Sequence, residues 1–157
     1  MSNHIKKATI EDKPTIHTFI QPYLDELSRF PDDDSDYKDE AGIYHYPYLD
    51  NYWQEKTRFP YLLYRNDQVS GFALVSYYRD HWRIAEFYIL PEFRRLGVAF
   101  DCATEIFKKH PGKWEINFNK HNFPSRSLWQ KLAGNISKGT IFTGQSNSSH
   151  DYIRFSV

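Results

Sequence analysis

The spacing of apolar residues divides the chain into helical and strand-like segments. Between residues 12 and 28 apolar side chains recur every three or four positions, which predicts an amphipathic helix with one face in a core. Acidic residues and Pro14 stand where this helix would begin, as is typical of a helix N-terminus. Pro22 falls inside the pattern and has no N–H to donate, so we expect it to kink or divide the helix.

The middle of the chain has the alternation of β-strands. Residues 4–10 alternate near the start, and further strands are predicted at 61–65, 69–78 and 82–90. Turn-forming residues at 66–67 and 79–81 separate these three strands. The three would therefore form an antiparallel meander in the middle of a sheet.

The second half of the chain alternates between helices and strands. Helices are predicted at 97–110 and 124–132, and strands at 113–118, 136–142 and 151–155. Residues 143–149 are polar and predict a mobile loop. No internal repeat and no linker interrupts this order, so we expect one domain over residues 1–157, of the α/β (α+β) class.

Composition argues against several classes of protein. Twenty basic and twenty acidic residues leave the 157-residue chain without net charge, which disfavours a general attraction to nucleic acid or to an anionic membrane. Polar residues interrupt every apolar stretch before the roughly 20 residues needed to cross a bilayer. The single Cys102 has no internal disulfide partner, and the first residues lack the apolar core of a secretory signal. We therefore expect a soluble, cytoplasmic protein.

Two segments of unusual composition each have two interpretations. The acidic run at 31–36 predicts an exposed loop, which is either a solvated connector or an acidic lip that attracts a cationic amine. Aromatic residues crowd 44–53, a segment that we predict to be helical or irregular. These side chains either pack in the core or line an acceptor pocket that holds a cation; they are Tyr44, Tyr46, Tyr48, Tyr52 and Trp53.

The strongest chemical signal is the short loop between the third strand of the meander and the helix that follows. A helix N-terminus leaves N–H groups unpaired and carries a partial positive charge, so it can bind phosphate. Gly97 and Ala99 let a phosphate approach the main chain, and Arg94 and Arg95 add positive charge at the same place. The pattern predicts a pyrophosphate-binding loop, with a tight structural turn as the alternative.

The segment 85–99 resembles the central strand and coenzyme A loop of the GNAT acetyltransferases. That loop is commonly Gln or Arg, two residues, Gly, one residue, then Gly or Ala, and Arg94, Gly97 and Ala99 satisfy every stated position. Asn122 also resembles a family residue beyond the next strand. The resemblance implies a three-layer fold, in which a mixed, mostly antiparallel, twisted sheet of about six to seven strands is flanked by helices and splays at its central strands.

The same resemblance implies an N-acetyltransferase that uses acetyl-CoA. An acetyl or other short acyl group would pass to a primary amine of a small molecule or peptide, by direct attack in a ternary complex. The main chain of 87–89 would bond the pantetheine arm, the loop 94–100 would hold the pyrophosphate, and Asn122 would contact the arm near its sulfur. The implied cofactor-binding residues are Phe87, Tyr88, Ile89, Arg94, Arg95, Leu96, Gly97, Val98, Ala99, Phe100 and Asn122.

Two side chains are candidates for the proton transfers. Glu86 would accept the amine proton directly or through water, because burial would raise its pKa; the alternative is a structural ion pair with a neighbouring Arg or Lys. Trp129 stands at a position that resembles the one where many GNAT acetyltransferases have Tyr as general acid. An indole supplies no proton at ordinary pH. Either the thiolate leaves unaided or Tyr88 serves as the acid, and Trp129 is then expected to be a core residue.

The remaining signals favour no other chemistry. No pair of histidines has ligand-like spacing with a carboxylate or Cys, so no metal site is predicted, and His121 is the histidine expected nearest a site. One competing hypothesis is a non-catalytic acyl-CoA-binding or regulatory module on the same fold. Another is a nucleic-acid-binding domain, which the zero net charge disfavours. The sequence leaves a homodimer open.

Overall fold

The computed structural model of the protein describes residues 2–33 and 36–157. Its helices are α1 (Lys13–Leu27), α2 (Val98–Lys109) and α3 (Phe123–Ile136). Its strands are β1 (Asn3–Lys7), β2 (Arg58–Arg65), β3 (Gln68–Tyr78), β4 (His81–Ile89), β5 (Lys113–Asn119), β6 (Phe142–Gln145) and β7 (His150–Ser156). Short 3₁₀ turns lie at Ile10–Asp12, Asp50–Trp53 and Pro91–Phe93.

The strands form one mixed sheet in the order β1-β2-β3-β4-β5-β7-β6. All neighbouring strands are antiparallel except β4 and β5, which are parallel and are connected through α2. These two strands pair only where Trp82 lies opposite Trp114 and Arg83 opposite Glu115, and beyond that point they separate. The splay at the centre of a mostly antiparallel sheet is therefore confirmed.

Helices cover both faces of the sheet. On one face, α2 and α3 bury side chains such as Phe107 and Leu132 against the strands. On the other face, α1 packs Ile16 and Ile20 against Phe72 of β3. Each helix thus buries one apolar stripe, and the result is the expected three-layer α+β arrangement.

Helix α1 is continuous through Pro22, so of the two expectations, a kink or a division of the helix, the division is wrong. A proline cannot donate the hydrogen bond that the carbonyl four residues earlier would accept. Pro22 and Thr18, the residue that carries this carbonyl, both lie on the exposed face of α1. Water can bond the carbonyl there, while the buried face of the helix holds it against the sheet.

The predicted strand at 136–142 is also wrong. Helix α3 continues to Ile136 because Leu132, Ala133 and Ile136 extend its apolar spacing onto the core. The strand β6 begins at Phe142 and takes up part of the segment predicted to be a mobile loop. All four residues of β6 pair with β7, the next strand along the chain, and the two form a hairpin whose polar turn gives no apolar signal in the sequence.

The two segments of unusual composition have different outcomes. The aromatic segment is irregular apart from the 3₁₀ turn Asp50–Trp53, and Tyr44 and Tyr52 are buried against α1, so packing explains them. Tyr48 is 56% exposed. Of the acidic run at 31–36, the residues Asp34 and Ser35 lie outside the described residues.

Candidate active site

A cleft of about 830 Å³ opens where β4 and β5 separate. Residues 84–89 of β4 and 116–119 of β5 form its walls, and the end of α1 and the starts of α2 and α3 border it. Strands that diverge leave main-chain groups without a partner across the sheet. The cleft therefore offers hydrogen-bond donors and acceptors to a ligand.

Alternate residues of β4 present their main chain to this cleft. The Leu90 N–H donates to the Ser70 carbonyl of β3 at 2.8 Å, and in an antiparallel pair every second residue bonds the same neighbour. The main chain of Tyr88 therefore faces β3 as well, whereas that of Phe87 and that of Ile89 face the cleft. Of the three residues expected to bond pantetheine, Phe87 and Ile89 are placed to do so through the main chain.

The predicted phosphate loop has the geometry of an anion-binding turn. Helix α2 begins after Gly97, whose φ of 78° is left-handed, and Arg95 has a φ of 64°. Left-handed residues turn successive N–H groups toward one side, as in anion-binding nests. No side chain of the described residues caps this helix, and Ala99 in its first turn borders the cleft. The amides at the start of α2 are therefore available to a ligand.

The two arginines of the loop have different surroundings. The Arg94 Nε donates to the Ile89 carbonyl at 2.9 Å, and its Nη2 lies 3.1 Å from each carboxylate oxygen of Glu26 on α1. The guanidinium also lies 5.5 Å from the centroid of the Tyr88 ring. Arg94 therefore ties the loop to α1 with its charge partly balanced, while Arg95 is exposed to solvent.

A bulge in β4 brings the Glu86 side chain to the α1 side of the sheet. Leu74 of β3 lies opposite Glu86, but the next β3 residue, Val75, lies opposite Ile84, so Ala85 is an extra residue. A bulge re-aims the side chains beside it. Ala85 packs with the core under α1, and the neighbouring Glu86 reaches a side chain of α1.

The pKa of Glu86 is close to neutral pH. Burial raises this pKa to about 7, and hydrogen bonds from Tyr23 and Tyr46 keep it from rising further. The Tyr23 hydroxyl donates to Glu86 Oε1 at 2.7 Å. Arg83 also lowers the pKa, but its Nε donates to Ser76 Oγ at 2.9 Å. Among the described residues Glu86 has no ion-pair partner, so the structural ion pair is not supported.

Tyr88 and Trp129 both line the cleft, with different surroundings. The Tyr88 hydroxyl is buried without a hydrogen-bond partner in the described part of the chain, and burial raises its pKa, so it keeps its proton. Trp129 is 5% exposed and packs edge-on against Phe87 and Phe107, with ring centroids 5.2 and 6.4 Å away. The expectation that Trp129 is a core residue is confirmed.

The residues after β5 form a hydrogen-bonded corner of the cleft. Asn122 lines the cleft, and its Oδ1 accepts the Ser125 N–H at 3.2 Å, which caps α3. Asn119 also lines the cleft, accepts the His121 N–H at 2.9 Å and donates to the Pro31 carbonyl at 3.1 Å. Asn119 was not identified from the sequence, because a single Asn at a strand end has no pattern that indicates a site.

The sequence also did not indicate that Tyr23 contacts Glu86 or that Glu26 contacts Arg94. The apolar spacing of α1 assigned Tyr23 to a core face, and its ring does pack 5.6 Å from Phe72, but its hydroxyl reaches Glu86. A hydroxyl on an otherwise apolar helix face was the available signal, since a buried Tyr O–H needs a partner.

The described residues contain neither a metal-binding cluster nor a helix that could cross a membrane. No three or more His, Cys, Asp or Glu side chains within residues 2–33 and 36–157 are grouped so as to hold a metal ion. Within the same ranges, every helix is too short or too polar to cross a membrane.

A family sequence model matches the part of the chain that carries the loop and the cleft. The sequence model of the Acetyltransferase (GNAT) family matches residues 22–134. The match covers most of the chain and includes β4, the phosphate loop and α2. The chain therefore belongs to the GNAT acetyltransferase family.

Solved structures share the fold at low sequence identity. An acetyltransferase from Thermus thermophilus has a TM-score of 0.73 at 11% identity, over 100% of this chain and 98% of that one. The PaiA N-acetyltransferase from Thermoplasma acidophilum, in complex with coenzyme A, has a TM-score of 0.68 at 15% identity over 100% of both chains. The ribosomal-protein-S18-alanine N-acetyltransferase from Escherichia coli has a TM-score of 0.62 at 14% identity, over 99% of this chain and 93% of that one. No curated protein is a significant sequence match.

Proposed function

We propose that this protein is an N-acetyltransferase that moves an acetyl or short acyl group from acetyl-CoA to a primary amine of a small molecule or peptide. We further propose that it works as one domain in the cytoplasm. The observation that carries the proposal is Glu86, a carboxyl group with a pKa of about 7 on the strand that lines an open cleft. Membership of the GNAT acetyltransferase family supports the same assignment.

The residues of the cleft fit coenzyme A, which supplies the acyl group as a thioester. The main chain of Phe87 and Ile89 would bond the amide groups of the pantetheine arm. The uncapped amides at the start of α2 would hold the diphosphate, and the exposed Arg95 would add positive charge there. Asn122, which lines the cleft beyond β5, would contact the arm.

The side chains that line the cleft account for both proton transfers. Glu86 takes a proton from the amine, directly or through water, as the amine nitrogen bonds to the acyl carbon. The bond between the acyl carbon and sulfur then breaks. The Tyr88 hydroxyl, which is protonated before the reaction because burial raises its pKa, supplies a proton to the leaving sulfur, and the proton taken up by Glu86 then returns to Tyr88 through water. The amide and free thiol that result balance the reaction without a metal or an intermediate bound to the enzyme.

Turnover of acetyl-CoA with a panel of primary amines tests this proposal. We expect saturable release of free thiol with at least one amine, together with the acetylated product by mass spectrometry. Tight binding of coenzyme A without turnover of any amine would favour the non-catalytic acyl-CoA-binding module. Absence of coenzyme A binding would contradict both functions.

A further inference from the structure

Two residues on the strands β1 and β2 donate hydrogen bonds to the main chain of the phosphate loop. Asn3 in β1 and Arg65 in β2 lie opposite each other in the sheet. The Arg65 Nη1 donates to Asn3 Oδ1 and to the Leu96 carbonyl, both at 3.2 Å. The Asn3 Nδ2 donates to the Leu96 carbonyl at 3.3 Å and to Asp101 Oδ2 at 2.8 Å. Both protons and the oxygen of the Asn3 amide are therefore used, and only one orientation of this amide satisfies them.

This network fixes the direction of one main-chain N–H. Two donors hold the Leu96 carbonyl toward β1 and β2. The peptide bond that follows is planar and trans, so the Gly97 N–H points the opposite way. The first turn of α2 borders the cleft through Ala99. The Gly97 N–H is therefore turned away from β1 and β2.

The same network restrains a negative charge. Asp101 lies in the first turn of α2, where a carboxylate close to a phosphate would repel it. A Cβ atom at Gly97 would lie 3.8 Å from both Asn3 Nδ2 and Asp101 Oδ2, so both groups border the loop. The hydrogen bond to Asn3 holds the Asp101 carboxylate on the β1 side.

We propose that Asn3 and Arg65 are positioning residues for the diphosphate of coenzyme A. They orient the Leu96–Gly97 peptide and keep the Asp101 carboxylate on the opposite side of the loop, and they do so without touching the ligand. The inference rests on the proposed function, because it assumes a diphosphate at the start of α2.

The variant Asn3→Asp tests the inference with almost no change in shape. An oxygen replaces Nδ2 and faces the Leu96 carbonyl and Asp101, so two hydrogen bonds become repulsive contacts. We expect the dissociation constant for coenzyme A, measured by calorimetry, to rise about tenfold or more. The affinity for pantetheine, which lacks the diphosphate, should stay within about twofold when it is followed by NMR.

A matched control adds the same charge at the same edge of the sheet. Asn66 follows Arg65, and its Oδ1 accepts the Ser2 N–H at 2.9 Å. Asn66→Asp keeps an oxygen in this position, so its affinity for coenzyme A should stay within about twofold of the wild-type value. Arg65→Met removes the guanidinium donors without adding a negative charge, and it serves as the second variant if Asn3→Asp does not fold.

The Gly97 amide resonance gives a direct readout of orientation. In the wild type, coenzyme A should shift this resonance strongly, and in Asn3→Asp the shift at saturation should be much smaller. If the wild type does not bind coenzyme A, the proposed function itself fails. If the wild type binds it and both Asn3→Asp and Arg65→Met bind it equally well, the positioning role is wrong. An equal loss of affinity for pantetheine would mean that the network is only structural, and would also overturn the inference.

Discussion

At the scale of single residues, the proposed chemistry depends on Glu86 and the hydroxyl groups that hold it. Its carboxyl group accepts a hydrogen bond from Tyr23 on α1, and Tyr46, a residue of the long connection before β2, also lowers its pKa. The sequence identified Glu86 because it lies in the strand before a recognisable loop. It did not indicate that the two tyrosines act on Glu86, because they come from segments distant in the chain and nothing in the local sequence links them to this strand.

Substitution of Glu86 by Gln should lower the turnover number more than it lowers affinity for coenzyme A. A base acts when it is deprotonated, so the wild-type rate should rise with pH through about 7, the pKa of Glu86. This limb should disappear from the pH–rate profile of Glu86→Gln. Equal turnover of the two proteins across the pH range would remove Glu86 from the mechanism.

The variant Tyr23→Phe provides a control for this assignment. It removes a hydrogen bond that lowers the pKa of Glu86, so the rise of the rate with pH should occur at higher pH than in the wild type. The exposed Tyr48 offers a matched change, and Tyr48→Phe should not alter the pH at which the rate rises.

At the scale of elements, the loop between β4 and α2 was the most predictable part of the site. A glycine before an apolar helical pattern, with arginines beside it, is typical of an anion site, and the structure gives this glycine the left-handed φ of 78°. The end of α3 and the position of β6 were not predictable in the same way. Strand β6 has no buried residue and exists through its pairing with β7.

Substitution of Gly97 by Glu should abolish binding of coenzyme A while the fold persists. The new carboxylate would stand beside the amides that are expected to hold the diphosphate, and would repel it. Gly42→Glu is the matched control, because Gly42 has a similar φ of 83° and open space around it. Calorimetry should show binding by Gly42→Glu and none by Gly97→Glu, and unchanged affinity of Gly97→Glu would refute the assignment of the cofactor site.

Substitution of Gly71 by Ala should destabilise the pairing of β3 with β4. A Cβ atom there would lie 1.9 Å from the Tyr88 carbonyl oxygen, so the two strands would have to move apart. We expect a loss of about 1–3 kcal/mol in the free energy of unfolding. In α3, Gly134 has nothing within 4 Å of its Cβ position, and Gly134→Ala should instead stabilise by about 0.5–1 kcal/mol. Denaturant unfolding of both variants checks the opposite signs, and equal stability of Gly71→Ala and wild type would contradict this account.

At the scale of the whole molecule, stability should depend on a buried histidine far from the cleft. His110 at the end of α2 is 8% exposed, and its Nε2 is hydrogen-bonded to the Tyr61 hydroxyl at 2.6 Å. The rings of Trp82 and Phe59 pack against it, with centroids 4.3 and 4.8 Å away. Burial lowers the pKa of His110 to about 4, with smaller contributions from the charges of Lys109 and Lys7. The folded protein therefore keeps His110 neutral under mildly acidic conditions.

Acid should therefore weaken the fold through His110. Below about pH 6.5 the unfolded chain protonates this histidine while the folded protein does not, so stability falls as pH drops from about 6.5 to about 4. The variant His110→Gln lacks this titration. The free energy of unfolding of wild type minus that of His110→Gln should fall by about 3 kcal/mol over this range. A difference that does not change with pH would contradict the lowered pKa.

The overall architecture was predictable because each helix shows one apolar stripe and the central strands alternate with clear turns. The identity of the acceptor was not predictable from the sequence. The residues that line the cleft opposite β4 come from α1, the connection after it and β5. Only the folded chain brings these segments together.

The most direct test of the whole account is a crystal structure of the protein with coenzyme A bound. We predict diphosphate oxygens about 3 Å from the main-chain nitrogens of Gly97, Val98 or Ala99, with the pantetheine arm alongside β4 at Phe87 and Ile89. A ligand bound elsewhere, with the start of α2 closed off by other parts of the chain, would contradict it.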